Sequence, residues 1–585
     1  MINFVKHDVG SNIENVMREH FQYDAIHVQD QMYTYGELYS RANAIRNVVN
    51  QTVSESNQFI GILCYRSIDA YAGIVGTLFS KNAYLPLNPF HPIAKINKIL
   101  AISDCKIIIL AEEAVETFSK LSSLTGGLTV ICPTPGKKIK ELVKNNSSHT
   151  FIFPDEFLNS TIVKDNVHKD DPAYLMFTSG STGEPKGIVV SHENLFSYAT
   201  YIVKKYKFSS SDRISQAPDI SFDLSIQDIF SAFLSGGCLF VLPKKSMVAP
   251  HKYINDHELT VWTSVPSVGI FMDNMKHLVA NSLTTLRCSL FCGEGLPCEI
   301  ATKWKMAAPN SEVINFYGPT EATVMFMSYS WGVLGDKQNC FNGLVSIGKP
   351  FNKMQIKLVK DNQEVSNSSI GEICIYGKQV IQGYFKNKSL TKEKFINLEG
   401  DKNKIWYRTG DLAKKMEDGN YVFIGRVDDQ LQVRGNRVEM LEIDKAIRDS
   451  VGHQMAVSIP ILSKNNKNIA EDIVAFVEGD SLKFSESEIL ASCRLALPDY
   501  MIPSRIYFIS NMPLNQNGKI DKKTLSNQLD NFEEETMVDI GQDAACGSCL
   551  KSLSQDEKLD GIGLLKIIKH DGQEGYICHI CLRGF

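Results

Sequence analysis

The first part of the chain alternates between short apolar runs and segments with helical spacing. The runs at residues 59–64 (FIGILC) and 106–111 (KIIILA) have the length and the β-branched content of strands that are buried on both faces. Between them, residues 67–82 (SIDAYAGIVGTLFSKN) carry apolar side chains at helical spacing. Later apolar runs each enter a turn that contains Gly or Pro, as in TVWTSVP and VINFYGPTE. This alternation predicts an α/β protein with wound, largely parallel sheets.

The pattern changes after residue 345, where short segments are separated by Gly and Asp turns. KMQIKLV, GEICIYG and GNYVFIGR predict an antiparallel sheet or a small barrel. A further α/β stretch follows, with a predicted helix at residues 440–451 and a predicted strand at 472–479. The acidic run that starts near Asn531 is typical of a solvated linker. We expect a large domain at residues 1–427, a smaller mobile α+β lid at 428–530, a linker at 531–544 and a cysteine-rich tail at 545–585.

Length and composition narrow the class of protein. With 585 residues, the chain is too long for one hydrophobic core. A net charge of −5 gives no general attraction to nucleic acid, so we expect no nucleic-acid partner. No run approaches the roughly 20 apolar residues of a membrane span, and the N-terminus lacks a signal-peptide core. We therefore expect a cytoplasmic protein, in which the ten scattered cysteines of the total of 14 are small buried hydrophobic side chains.

One loop has the composition of a phosphate-binding site. Residues 178–187 (TSGSTGEPKG) follow directly after the strand-like run AYLMF. Glycines let such a loop bend tightly, so that backbone N–H groups and hydroxyls point at a polyphosphate. The spacing is not that of a Walker A loop, and a flexible surface turn is the alternative. The candidate nucleotide-binding residues are Thr178, Ser179, Gly180, Ser181, Thr182, Gly183 and Lys186.

This loop resembles the phosphate loop of the adenylate-forming superfamily, and four further motifs follow in that superfamily's order. They are residues 315–321 (NFYGPTE), 407–411 (YRTGD), 425–429 (GRVDD) and 515–519 (NQNGK). The superfamily includes adenylation domains of nonribosomal peptide synthetases, D-alanine–carrier protein ligases, acyl- and aryl-CoA synthetases and luciferases. The resemblance covers about residues 10–530. It implies an enzyme with a large N-terminal domain and a small lid, which uses ATP and Mg²⁺ to form an acyl-adenylate.

The chemistry that the resemblance implies requires positioned charge. Attack of a carboxylate on the α-phosphate of ATP develops negative charge and expels pyrophosphate, so donors, cations and a metal ion are needed. By resemblance, Thr320 contacts the α-phosphate, Glu321 binds Mg²⁺ and Arg426 lies at the phosphates. Lys519 is expected to bridge the reacting carboxylate and the phosphate with its point charge. These four are the candidate catalytic residues, and an ordinary surface or core role is the alternative for each.

The same resemblance assigns the nucleoside site and the domain hinge. Tyr317 is expected to line the adenine site, and Asp411 is expected to accept hydrogen bonds from the ribose hydroxyls. Asp428 lies where the superfamily has its hinge. Rotation at the hinge would carry Lys519 away after adenylation and bring residues 434–439 (RGNRVE) to the adenylate for thioester formation.

The acid that is activated is expected to be an amino acid. In superfamily members that use α-amino acids, the aspartate of the motif matched here by Asp223 pairs with the substrate ammonium, a partner that a buried carboxylate requires. Cys292 matches a cysteine that shapes a pocket for a small D-amino acid in the D-alanine–carrier ligases, whereas Phe316 departs from that branch. The mixed apolar positions of the pocket predict a small or medium, weakly polar side chain, with a D-alanine-like substrate as one option, and plain packing is the alternative role for Cys292. One methyl group gives only about 1–3 kcal/mol of discrimination, so the exact amino acid and its enantiomer stay open. The further pocket positions are Leu224, Gln227, Thr263, Leu290, Val324 and Met325.

By the same resemblance, the product passes to the phosphopantetheine thiol of a carrier protein. The Gly-Gly-x-Ser motif of such carriers does not occur in this sequence, and Asp560-Gly561-Ile562-Gly563-Leu564 resembles it only without the serine. We therefore expect the carrier to be a separate polypeptide.

The tail contains two C-x-x-C pairs, which can together supply four thiolates to one tetrahedral zinc ion. The segment between them, IIKHDGQEGYIC, predicts a hairpin with an Asp-Gly turn. So short a segment buries little core, and a metal would supply the missing stability. Reduced cysteines or a redox pair are the alternatives, and His579 is expected to be a neighbour rather than a ligand. The candidate zinc ligands are Cys546, Cys549, Cys578 and Cys581.

Two other functional classes remain open on the sequence alone. An acyl-CoA synthetase or a luciferase-like oxygenase would use the same fold, but the position of Asp223 is usually not acidic in such enzymes. A non-catalytic adenylate-binding protein would not need Glu321, Asp411 and Lys519 inside intact motifs. Activation of an amino acid is therefore the preferred hypothesis.

Overall fold

A computed structural model shows the fold of the residues that it describes. These are residues 4, 7–53, 57–125, 127–145, 148–154, 167–178, 185–332, 339–366, 369–399, 401, 403–427, 430–433, 436–453, 455–463, 466–479, 485–513, 520–534, 564–568 and 574–578.

The first of two large sheets has seven strands and is parallel except at one edge. The runs predicted at residues 59–64 and 106–111 form its central strands, with apolar side chains buried on both faces. At the edge, Pro172–Thr178 pairs antiparallel with Lys186–Ser191, so the candidate phosphate loop joins two antiparallel strands. In spatial order the strands are Thr150–Ile152, Thr129–Ile131, Ile107–Leu110, Phe59–Leu63, Ala83–Leu87, Pro172–Thr178 and Lys186–Ser191.

The second large sheet has nine strands, and its centre is also parallel. Its order is Lys349–Pro350, Met327–Trp331, Glu312–Tyr317, Cys288–Phe291, Val261–Ser264, Arg213–Gln216, Cys238–Val241, Asp24–Val28 and Gln31–Thr34. One hydrophobic core includes side chains from both large sheets and from the helices Ile68–Phe79 and Leu224–Ser235, which are buried along their whole length. The predicted wound α/β architecture is confirmed.

Two smaller sheets follow, as the change of pattern predicts. The first is antiparallel and has the order Gln363–Glu364, Gln355–Lys360, Ile370–Tyr376, Trp406–Lys415 and Phe395–Ile396, with Tyr421–Arg426 also paired to Trp406–Lys415. The second, in the smaller C-terminal region, has the order Asn436–Glu439, Gln430–Val433, Asn466–Glu478 and Ala456–Ser463, with Ile506–Ile509 also paired to Asn466–Glu478. A short pair, Cys340–Phe341 and Leu344–Val345, forms a separate two-stranded sheet.

The helices connect and cover the sheets. The α-helices are Val9–Glu19, Tyr35–Thr52, Ile68–Phe79, Ile93–Ser103, Val115–Thr125, Lys137–Asn145, His192–Lys205, Leu224–Ser235, Pro250–Asp256, Pro266–Asn274, Cys298–Ala307, Lys388–Lys394, Met440–Val451, Glu486–Ala496 and Lys522–Glu534. The 3₁₀ helices are Glu112–Ala114, Lys244–Val248, Thr320–Ala322 and Asp499–Met501. The last α-helix continues past residue 530 into the predicted linker, because glutamate is a good helix former and neither Gly nor Pro interrupts the run.

The cysteines depart from expectation at one pair. Eight of the cysteines outside the tail are free and buried, as predicted. Cys298 and Cys340, which are 42 positions apart, form a disulfide instead. The backbone brings them together, because the N–H of Cys298 donates to the carbonyl oxygen of Gly343 at 2.8 Å. For these two residues the prediction of isolated hydrophobic side chains is wrong.

The structure describes only part of the cysteine-rich tail. Leu564–Ile568 and Glu574–Cys578 form an antiparallel pair, as the predicted hairpin requires, and its Asp-Gly turn lies outside the described residues. The side chain of Cys578 and all of Cys546, Cys549 and Cys581 lie outside the described residues, and the zinc prediction with them. Elsewhere in the described ranges, no cluster of three or more His, Cys, Asp or Glu side chains is arranged to hold a metal ion. No helix in these ranges is both long enough and apolar enough to cross a membrane.

Candidate active site

A cavity of about 1070 Å³ lies where the parallel strands of both large sheets end. Thr178, Ser264, Cys292 and Tyr317 each stand at or just beyond the carboxyl end of a strand, and all four line the cavity. Ligands of open α/β sheets bind in crevices of this kind, because successive loops converge there. The C-terminal region closes the cavity on another side with Asn436 and with residues 498–500.

The predicted nucleoside residues form one hydrogen-bonded group in this cavity. The hydroxyl of Tyr317 donates to Oδ2 of Asp411 at 2.6 Å, and Arg426 forms an ion pair with Oδ1 of the same carboxylate. Burial and the neighbouring Asp411 charge raise the pKa of Tyr317 well above its ordinary value, so its hydroxyl stays protonated and can donate. Each carboxylate oxygen has two lone pairs, which leaves Asp411 acceptor capacity for ribose hydroxyls. The structure places Arg426 beside Asp411, and its contact with phosphates stays a prediction.

Residues 317–326 turn tightly at the end of the strand Glu312–Tyr317. A Cβ atom at Gly318 would lie 2.6 Å from the carbonyl oxygen of Val324, so this close approach of two backbone segments requires glycine. Thr320 lines the cavity, and Glu321 follows it in the short helix Thr320–Ala322 with only 1% of its surface exposed. Carboxylate and hydroxyl oxygens are the ligand types that Mg²⁺ prefers, so the chemistry of this pair fits the predicted metal.

Lys186 connects the phosphate loop to the smaller C-terminal region. Its Nζ lies 2.9 Å from Oε1 of Glu439, and the two side chains are only 11% and 5% exposed. Glu439 ends the segment 434–439 that the resemblance assigns to thioester formation, and Asn436 of that segment lines the cavity. The C-terminal region therefore presents this face, rather than a distant one, to the phosphate loop.

The acid pocket begins at Asp223, which immediately precedes the buried helix Leu224–Ser235 and lines the cavity. A carboxylate at a helix N-terminus is stabilised by the helix dipole. Leu224, Cys292, Phe316 and Val324 line the same cavity. Burial, and next the charge of Asp223, raise the pKa of the Cys292 thiol, so this cysteine stays protonated and acts as an apolar wall.

Four predicted pocket residues are buried without forming part of the cavity lining. These are Gln227, Thr263, Leu290 and Met325. The amide of Gln227 accepts a hydrogen bond from the hydroxyl of Tyr198 at 2.5 Å and donates to Oγ of Ser231 at 2.8 Å. Its oxygen and nitrogen both bond to the protein, so Gln227 contributes to packing and polar support behind the pocket.

Val324 reaches the pocket through a strained turn. Thr323 and Val324 have φ angles of 59° and 71°, a left-handed conformation that a β-branched residue rarely adopts. Gln379 holds this turn in two ways. Its side-chain amide donates to the carbonyl oxygen of Met325 at 2.7 Å, and its backbone carbonyl oxygen accepts from the hydroxyl of Thr323 at 2.6 Å. The buried amide of Gln379 therefore stabilises the backbone that presents Val324.

Several predicted site residues lie outside the described residues. They are Ser179, Gly180, Ser181, Thr182 and Gly183 of the phosphate loop, the hinge residue Asp428 and the catalytic candidate Lys519. Conversely, Gln379 and Tyr384, which bond to the turn at residues 321–325, were missed by sequence reasoning. Both lie in the irregular segment GKQVIQGYFKN, whose sequence carries no pattern that predicts these contacts.

Comparison with known proteins now places the chain. The AMP-binding enzyme family matches residues 13–385. Tyrocidine synthase 1 of Brevibacillus parabrevis is 28% identical over 511 residues, which cover 86% of this chain and 43% of that protein. The chain thus spans less than half the length of this curated relative.

Solved structures agree on the fold. The Vibrio cholerae adenylation domain AlmE, solved in complex with glycyl-adenosine-5'-phosphate, has a TM-score of 0.80 and 29% identity, with 90% of this chain and 99% of that chain covered. PA1221, a nonribosomal peptide synthetase protein with adenylation and PCP domains, solved in its holo form, has a TM-score of 0.73 and 20% identity, with 92% and 85% covered, and supports the fold alone. The resemblance inferred from the five motifs is confirmed, and the chain belongs to the family of AMP-binding enzymes.

Proposed function

We propose that this protein activates an amino acid with ATP, forming an aminoacyl-adenylate and pyrophosphate. The observation that carries the proposal is the position of Asp223, whose carboxylate lines the same cavity as Thr320, Asp411 and Arg426. Binding of the substrate ammonium by Asp223 would place the substrate carboxylate in the cavity that is also lined by residues predicted to bind the nucleotide. The tyrocidine synthase relative and the glycyl-adenylate complex of AlmE support this reading.

The roles of the individual residues follow from this proposal. Tyr317 and Asp411 bind the nucleoside, Thr320 and Lys186 contact the phosphates, and Glu321 holds Mg²⁺. When bound, Mg²⁺ would offset negative charge on the phosphates. Arg426 stabilises Asp411 through their ion pair, and its cation also faces the cavity. Thr178, Ser179, Gly180, Ser181, Thr182 and Gly183 complete the phosphate loop, and Lys519 bridges the two reacting groups.

The pocket walls favour a small amino acid. Leu224, Cys292, Phe316 and Val324 offer apolar surface and no second charge to a substrate side chain. Phe316 is held in place by the rings of Tyr206 and Phe351, with centroid distances of 5.6 and 6.1 Å. Displacing closely packed aromatic rings is energetically unfavourable. We therefore propose that the substrate is glycine, L-alanine or D-alanine.

Amino-acid-dependent exchange of labelled pyrophosphate into ATP tests the function directly. We expect glycine or one enantiomer of alanine to give the highest kcat/KM in a panel of amino acids, and phenylalanine or tryptophan to give at least about a hundredfold less, because a bulky side chain would have to displace packed rings. Fatty and aryl acids serve as the contrasting substrates in the same panel. Exchange driven by such acids, and by no amino acid, would contradict the proposal and indicate a CoA ligase.

The activated amino acid would then pass to the phosphopantetheine thiol of a carrier protein. The contact of Glu439 with Lys186 and the position of Asn436 in the cavity wall support this second step. These two contacts support a lid, formed by residues 428–530, that rotates about Asp428 relative to the large domain, residues 1–427. In this arrangement the lid presents its thioester-forming face, and adenylation would need the opposite orientation.

We also propose that the tail binds one structural zinc ion through Cys546, Cys549, Cys578 and Cys581. The described pair of strands, the second of which ends at Cys578, supports a scaffold for one cysteine pair. We expect about one zinc per chain by elemental analysis, lost when Cys546 and Cys549 are both replaced by serine. Pyrophosphate exchange should change little in that variant, because the adenylation chemistry does not use the tail. A protein purified without zinc under mild conditions would contradict this proposal and favour the redox or reduced alternatives.

A further inference from the structure

A segment that no motif predicts supports the turn at residues 317–326 from behind. This segment comprises residues 377–387. The N–H of Ile381 donates to the carbonyl oxygen of Glu321 at 3.0 Å, and the N–H of Phe385 donates to the carbonyl oxygen of Gly187 at 2.8 Å. Tyr384 forms a β-bridge with Ile188, in the strand that leaves the phosphate loop. The segment thus joins the backbone of Glu321 to the base of the phosphate loop.

The side chain of Tyr384 reaches the Glu321 carboxylate itself. Its hydroxyl donates to Oε1 of Glu321 at 2.7 Å and lies 3.2 Å from the hydroxyl of Tyr407. Tyr384 is 7% exposed and Glu321 is 1% exposed, so water competes little for this hydrogen bond.

The backbone and ring of Tyr384 are fixed as well. Its N–H donates to Oγ1 of Thr391 at 2.9 Å, and its ring packs against Phe395 at a centroid distance of 5.9 Å. A glutamate side chain has three rotatable bonds, whereas a packed tyrosine ring is rigid. A charge-assisted hydrogen bond from a rigid donor therefore selects one orientation of the carboxylate.

From this geometry we propose that Tyr384 is a positioning residue for the metal site. Its hydroxyl holds the Glu321 carboxylate in the orientation that receives the divalent cation of the metal–ATP complex. The inference rests on the proposed metal role of Glu321. Partners of this kind, which orient a metal ligand without touching the metal, typically change metal affinity about 10–100-fold when they are removed.

The test is Tyr384→Phe, which keeps the ring and its packing and removes only the hydroxyl. Mn²⁺ binding is measured by electron paramagnetic resonance of the free ion, in the presence of a non-hydrolysable ATP analogue. We expect about tenfold weaker Mn²⁺ binding or more. The Mg²⁺ concentration that half-saturates pyrophosphate exchange should rise by a similar factor, while the KM for the amino acid stays within about twofold.

Two further variants keep the outcomes separate. Tyr376→Phe removes a tyrosine hydroxyl from the neighbouring sheet, where the ring packs on Trp406 at 5.7 Å, and should bind Mn²⁺ as the wild type does. Glu321→Gln should weaken Mn²⁺ binding at least as much as Tyr384→Phe. If Glu321→Gln binds Mn²⁺ normally, the proposed metal role of Glu321 fails. If Glu321→Gln is weakened while Tyr384→Phe is unchanged, or if Tyr384→Phe lowers kcat at unchanged Mn²⁺ affinity, the inference about Tyr384 is overturned.

Discussion

Replacing Asp223 by asparagine is expected to lower the kcat/KM for the amino acid in pyrophosphate exchange by about 30-fold or more. The amide has nearly the shape of the carboxylate but no charge, so the substrate ammonium would lose its ion-pair partner in a site partly shielded from water. Removing one member of a desolvated, hydrogen-bonded charge pair costs about 2–5 kcal/mol, and each 1.4 kcal/mol is a factor of ten. The measurement is the initial rate of exchange over a range of amino acid concentrations at saturating ATP.

A charge-matched control separates ammonium recognition from the general potential of the cavity. Asp499 lines the same cavity from the C-terminal region, so Asp499→Asn removes one negative charge at a different wall. We expect this variant to retain exchange within about threefold, because water screens the effect of the exposed Asp499 charge on the substrate. The KM for ATP should remain close to the wild-type value in Asp223→Asn. Equal losses in both variants, or full activity of Asp223→Asn, would contradict the assigned role.

Replacing Lys519 by alanine is expected to slow adenylation by about 10²–10³-fold and to spare the thioester step. The ammonium would stabilise charge that develops between the carboxylate and the α-phosphate, and loss of one such oriented group has this magnitude. Pyrophosphate exchange measures the first step. The second step is measured by supplying synthetic glycyl-adenylate with free pantetheine as the acceptor and following formation of the thioester.

Glu439→Gln is the matched comparison, because replacing Glu439 is expected to slow thioester formation and to spare adenylation. Its ion pair with Lys186 joins the lid to the phosphate loop in the orientation assigned to thioester formation. The variant should slow thioester formation and leave exchange within about threefold, because Lys186 remains available to ATP. If both variants impair both steps alike, the two faces do not serve separate half-reactions. Exchange that is unchanged in Lys519→Ala would remove that lysine from the adenylation step.

Local patterns in the sequence determined the elements and the chemistry of this protein. Burial on both faces makes a parallel strand continuously apolar, so runs such as residues 106–111 predict their strand without further information. The five motifs are equally local: a glycine at position 318 and a threonine–glutamate pair at 320–321 are readable because the turn that requires them is built from consecutive residues. The family, and the residue types at the candidate site, could therefore be predicted from the sequence.

Only the tertiary structure decided which distant groups meet. Asp411 bonds Tyr317 and Arg426, Lys186 bonds Glu439, and Cys298 bonds Cys340, although no local pattern pairs any of them. The tertiary structure also decided which predicted pocket residues line the cavity and which lie behind it. Gln227, for example, accepts a hydrogen bond from Tyr198. Sequence patterns report the periodicity of one element, whereas a side chain's partner depends on how several elements pack together. For that reason Asp223 was predictable as a candidate ligand, and Tyr384 became visible only in the folded chain.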